Sequence, residues 1–201
     1  GEIDYAPEMG RVIVFIDPDL TNNAFFDGER LVIGEPMAAD PDVVLREYTH
    51  LLLKAAVEDS LGVVPFSGPM GGIESGLADY FPGSSQSDPR IAEVIAPDLV
   101  GRSFIRTLLN NRDFTELTPS SPPQDAGEIW GGAFWDIRLL MGKIPADRLI
   151  LSTWLALQPA DLTGDPAGNF VRRLLEVERT LEGGTFADEI RSIFQNRELD
   201  F

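Results

Sequence analysis

"DPDVVLREYTHLLLKAAVEDSLG", residues 40–62, carries a helical period from end to end. Asp40 is an N-cap and Pro41 a first-turn proline. Val43, Val44, Tyr48, Leu51, Leu52, Ala55 and Ala56 keep helical spacing until Gly62 stops the helix. Residues four apart share a face, so Arg46 and His50 project together and Glu47 lies one position round. Ionisable groups on a mostly apolar helix are costly to bury unless they are paired. Taken alone, Arg-Glu-x-x-His reads as a solvated face or a surface ion pair.

The next segment changes that reading. "SGPMGG", 67–72, is a glycine-rich turn opening a second helix that carries "IESGLADYF", 73–81. It presents Glu74 and Asp79 beside a helix presenting Glu47 and His50, which gathers three carboxylates around one imidazole. Crowded carboxylates raise one another's pKa unless a cation is present, and either Arg46 or a metal supplies one. The plainer alternative, Glu74 as a first-turn acid complementing the helix dipole, stays open.

Working outward, "RVIVFI", 11–16, is a strand ended by Asp17-Pro18. Asp27-Gly28 signals a hairpin between strands near 23–26 and 30–34. Residues 82–90, "PGSSQSDPR", and 111–127, rich in Pro, Ser and Asp, are expected to be loops. Helices are expected at about 127–142, 146–157, 167–182 and 185–196, with Gly183-Gly184 separating the last two. Strands first and helices afterwards predict an α+β fold: N-terminal strands and an edge hairpin packed on the 41–61 helix, then a mostly helical C-terminal half. One domain over 1–201 is expected, with a subdivision into 1–62 and 63–201.

Composition narrows the function classes. Sixteen basic against 33 acidic residues give a net charge of −17, which repels phosphate backbones and argues against nucleic-acid partners. The longest apolar runs, such as Val12 to Ile16, are too short to span a bilayer. Cysteine is absent, removing disulfides, thiolate zinc sites and Cys nucleophiles. A single histidine, His50, excludes a His-dependent triad elsewhere and any site needing two imidazoles from this chain. The chain begins with Gly and shows no signal-peptide pattern; a longer parent whose export signal is already removed is the expectation. Trp130, Trp135 and Trp154 read as core. Asp17, Asp19 and Asp27 lack an EF-hand spacing, "GPMGG" lacks the Lys-Ser/Thr of a phosphate loop, and Arg172-Arg173 is a solvated face.

The order of segments resembles the thermolysin-like (gluzincin) zinc metallopeptidases and their fungalysin-like relatives. "NAFFDGERLVIGEP", 23–36, is similar to that family's substrate-edge hairpin, and "DVVLREYTHLLL", 42–53, to its H-E-x-x-H zinc helix. "GGIESGLADYF", 71–81, resembles the helix bringing the glutamate ligand. "AGEIWGGAFWDIR", 126–138, resembles the helix preceded by a transition-state histidine, and 168–197 the closing helices. The resemblance runs from about residue 11 to residue 196. It implies that His50 and Glu74 stand at zinc-ligand positions, Glu47 at the general base and Asp79 at the carboxylate that orients a ligand histidine. Asn23, Ala24 and Phe25 then stand on the edge that pairs with an extended peptide.

Two positions depart from the family. Arg46 stands where the first zinc histidine belongs, and Gln124 where the transition-state histidine belongs. A catalytic zinc keeps three protein ligands plus a water, and a guanidinium is a permanently charged donor that cannot coordinate one. The resemblance therefore implies a degenerate member: proteolytically inactive or strongly impaired, exported, with an Arg46–Glu47/Glu74 cluster in place of zinc and an extended peptide as its partner. The alternatives are an active peptidase that binds zinc through an atypical site, and a non-catalytic structural module of a larger exported protein.

Overall fold

The computed structural model describes residues 12–27, 30–62, 67–118 and 120–201. It is an α+β fold in which three short strands precede a helical body. Strands β1 (Ile13–Asp17), β2 (Ala24–Phe26) and β3 (Arg30–Gly34) form a sheet of order β1-β3-β2. β1 runs parallel to β3 with Val14 opposite Leu31, and β2 runs antiparallel to it with Phe25 opposite Val32. The hairpin signal is sound where it can be followed: Asp27 N–H donates to Arg30 C=O at 3.2 Å, while Gly28 and Arg11 lie outside the described residues. Alternation puts Leu31 and Ile33 on the inner face, and both are fully buried. β1 is an edge whose residues Ile13 to Ile16 stay exposed.

Helix α1 (Pro41–Leu61) begins and ends as its sequence dictates. Asp40 accepts from Asp42 N–H at 3.0 Å, and Gly62 closes the helix at φ 67°. The same Asp40 carboxylate also accepts from the backbone N–H groups of Val94 and Ile95, and Asp42 accepts from Ala92 N–H, so the start of α1 is fastened to the 92–95 segment. Burial, set against the Ala92 bond, pushes the Asp42 carboxyl above the usual range.

Helix α2 (Gly68–Gln86) runs further than the sequence predicts. The expected loop at 82–90 is helical through Gln86, with Pro82 inside the helix. Proline there removes a single backbone hydrogen bond, and burial of Pro82, Gly83 and Ser84 on both flanks outweighs that loss. The turn is confined to Ser87–Pro89, where Ser87 caps the helix in the left-handed region at φ 59°.

Residues 90–107, for which the sequence suggested no element, hold β4 (Arg90–Ile91), α3 (Ala96–Val100) and β5 (Arg106–Thr107), with β4 and β5 paired antiparallel. The expected loop at 111–127 is likewise shorter. A capped 3-10 turn occupies Phe114–Glu116, and helix α4 (Pro123–Met141) starts at a first-turn proline. Helices α5 (Lys143–Leu155), α6 (Pro166–Glu182) and α7 (Ala187–Gln195) complete the body.

Two tryptophans organise the core. Trp130 lies 5.4–5.8 Å, centroid to centroid, from the rings of Phe114, Phe134, Phe170 and Phe194, which joins α4 to α6 and α7. Trp154 is fully buried and donates Nε1–H to Leu53 C=O at 2.9 Å, tying α5 to α1. Helices α2 and α4 pack so closely that a Cβ at Gly76 would lie 2.5 Å from the Trp130 Cβ and 3.0 Å from Gly127 C=O. Among the described residues, no helix is long and apolar enough to cross a membrane.

Candidate functional site

The polar face of α1 meets α2 in antiparallel order. Arg46 lies against Ser75 and Asp79, and His50, one turn further on, lies against Glu74. Helical geometry accounts for the pairing. Ser75 and Asp79 are four apart and share a face, while Glu74 and Asp79, five apart, are turned roughly 140° from one another. The two α2 carboxylates are thereby handed to different partners.

Arg46 is a clamp. Its Nε–H donates to Asp79 Oδ1 at 2.8 Å, Nη1–H to Glu47 Oε1 at 2.9 Å and Nη2–H to Ser75 Oγ at 3.2 Å. Burial alone would lower the guanidinium pKa, but the Asp79 and Glu47 carboxylates outweigh it and hold Arg46 as a cation. Burial alone would likewise raise Asp79. The guanidinium groups of Arg106 (Nε to Oδ2, 3.5 Å) and Arg46 overcome that and keep its carboxyl below the usual range. Glu47, Glu74 and Asp79 are all buried, and each has a polar partner: Arg46, His50 and the two arginines respectively.

One expected pairing is corrected. An Arg46–Glu47/Glu74 cluster does not form: Glu74 is taken by His50 Nδ1, and the second carboxylate on Arg46 is Asp79. The reason is the angular offset along α2, which carries Glu74 past Arg46. Two members of the cluster were not singled out by the sequence. Ser75 had a weak signal, its i,i+4 spacing to Asp79; Arg106 had none, because it sits on a strand of two residues.

These groups open onto a cleft of about 300 Å³. Its floor carries Arg46, Glu47, His50, Glu74 and Ser75; the walls are β2 with Asn23 on one hand and Pro123 with Gln124 at the start of α4 on another. Gln124 is exposed there and makes no bond to the cluster among those described. In β2, Asn23 C=O accepts from Gly34 N–H and Asp27 N–H donates to Arg30, so the alternation of an antiparallel pair directs Phe25 toward β3 and the main-chain groups of Ala24 and Phe26 away from it. Ala24 N–H is taken by the Asn23 side chain at 3.0 Å. Ala24 C=O and the Phe26 N–H and C=O lie on the edge of β2 away from β3, and Ala24, Phe25 and Phe26 all line the cleft.

The donor set can be compared with what zinc requires. His50 and Glu74 are two groups able to ligate; the third place holds a guanidinium, a donor only, already bound to two carboxylates. Among the described residues, no group of three or more His, Cys, Asp or Glu side chains is arranged to hold a metal ion. The residues present do not fit a three-ligand zinc centre. Comparison with protein-family models finds no match, and comparison with curated proteins finds none either.

Proposed function

We propose that this chain is a metallopeptidase-like domain, similar to the gluzincins, whose cleft binds an extended peptide or protein segment and does not hydrolyse it. The observation that carries the reading is the Arg46 clamp: a fixed cation bonded to Glu47 and Asp79 where the resembling family has a zinc ligand. Glu47 is committed to that guanidinium, so it is not placed as a free base for water. The edge of β2 away from β3 supplies main-chain groups suited to strand addition, in which backbone bonds give affinity and side-chain pockets give selectivity. An exported parent protein fits this reading.

Metal content tests it. Protein given zinc at neutral pH and then desalted is expected to retain far less than one equivalent, and to leave peptides intact. Stoichiometric zinc together with peptide hydrolysis that Glu47→Gln abolishes would establish the active alternative instead. Restoration is the sharper measurement: Arg46→His is expected to raise zinc retention, with His50 and Glu74 as the other two ligands. A domain that takes up no zinc after that change, and binds no peptide before it, is a structural module.

A further inference from the structure

We infer that Arg46 reads the peptide as well as bracing the fold: its two remaining N–H groups donate to a main-chain carbonyl, and the cleft therefore selects an uncharged internal stretch of chain rather than a chain's C-terminal carboxylate. This rests on the peptide-binding reading above and adds the chemistry of what is bound.

A guanidinium has five N–H donors in a planar fork. Three are spent on Asp79, Glu47 and Ser75, leaving one on each Nη with no bond among the described residues. Arg46 nonetheless lines the cleft and keeps 15% of its side chain exposed. The inner bonds fix the plane of the fork, so the remaining donors are held in place before a ligand arrives and little side-chain entropy is lost on binding. β2 lines the same cleft, and its edge away from β3 carries Ala24 C=O and the Phe26 main chain, an acceptor and a donor–acceptor pair.

Charge decides between a carbonyl and a carboxylate. Two guanidinium groups, Arg46 and Arg106, face three carboxylates, Glu47, Glu74 and Asp79. His50 brings the balance to neutral at most. A ligand carboxylate would enter a buried site with no surplus of positive charge and with Glu47 and Glu74 in the same floor, whereas a neutral amide carbonyl accepts a charge-assisted bond without that repulsion.

The experiment titrates two probes into the folded protein and follows the backbone amides of Ala24 and Phe26 by NMR. Both are hexapeptides of alternating valine and serine with an acetylated N-terminus; one ends in an amide and the other in a free carboxylate. The amidated peptide is expected to bind about tenfold more tightly than the free acid. Arg46→Met/Glu47→Gln, which leaves Asp79 with Arg106, is expected to weaken it about tenfold. Arg46→Lys, which keeps a cation for the carboxylates but loses the fork, is expected to weaken it comparably, so a folding failure in the double variant does not end the test. Unchanged affinity in either folded variant overturns the role given to Arg46 and leaves peptide binding standing. Equal or tighter binding of the free acid overturns the choice of carbonyl. No response at Ala24 or Phe26 to either probe overturns the peptide-binding reading, and this inference with it.

Discussion

Helix α2 is buried on two flanks that are held by opposite means. Toward α1 it presents Glu74, Ser75 and Asp79, and each is met by a hydrogen-bond partner on α1. Toward α4 it presents Gly72 and Gly76, and contact is made by the absence of side chains. The polar flank fails when something is removed, because a buried charge then loses its partner. The glycine flank fails when something is added, because the nearest atoms are the Cβ atoms of Ala126 and Trp130 and, behind Gly76, the backbone of Gly127 and Gly131, none of which can step aside without moving α4. The difference teaches where each flank is free to change. Ser75 belongs to both: its hydroxyl accepts from Arg46, and a Cβ at Gly127 would come within 2.6 Å of it.

The contrast can be broken first on the polar flank. Arg46→Met strands Glu47 and leaves Asp79 with Arg106 alone, so urea unfolding is expected to show a loss of about 3–5 kcal/mol. Adding Glu47→Gln should return a good part of it; a double variant no better than the single one would mean that Glu47 does not depend on Arg46. On the glycine flank, Gly76→Ala forces α2 and α4 apart against Trp130, with an expected cost of about 2–3 kcal/mol at an unchanged m-value. No added polar partner should relieve it.

Acid sharpens the same division. Asp79 has its pKa depressed below the ordinary 3.8, so its stabilisation is complete above that value. As pH falls through 3.8 and on toward the folded pKa, the unfolded chain takes up the proton first and stability declines by up to about 1.4 kcal/mol per pH unit. Stability measured against pH in Asp79→Asn is expected to lose that limb, while Gly76→Ala keeps it at a lower level throughout. The smallest effect lies at the end of α2, outside both flanks. Ser87→Asn suits the left-handed cap at φ 59° and retains an acceptor for Arg138 Nη2, so a gain of a few tenths of a kcal/mol is expected in thermal unfolding.

The sequence made the long helices legible because their periods and caps agree: Asp40, Pro41 and Gly62 bound α1 as expected. It misplaced the end of α2, because local signals at Pro82 and Gly83 indicate a break while burial on two sides indicates helix, and burial decides. Arg46, Glu47, His50, Glu74 and Asp79 were legible as a group, since two amphipathic helices close in sequence bring their polar faces together. Their pairing was not, because it depends on the angular offset between Glu74 and Asp79 and on which end of α2 meets which end of α1. Arg106 was invisible: a lone arginine in a two-residue strand has no period to declare it.

The close approach of α2 and α4 also bears on how sequences of this kind can diverge. Gly72, Gly76 and Gly127 occupy positions where enlargement on one helix must be met by reduction on the other, with Trp130 filling what is left. Accepted changes there should come in compensating pairs, so that positions 76 and 130 covary across a lineage. Ile144 on α5, 78% exposed, is by contrast free to change on its own.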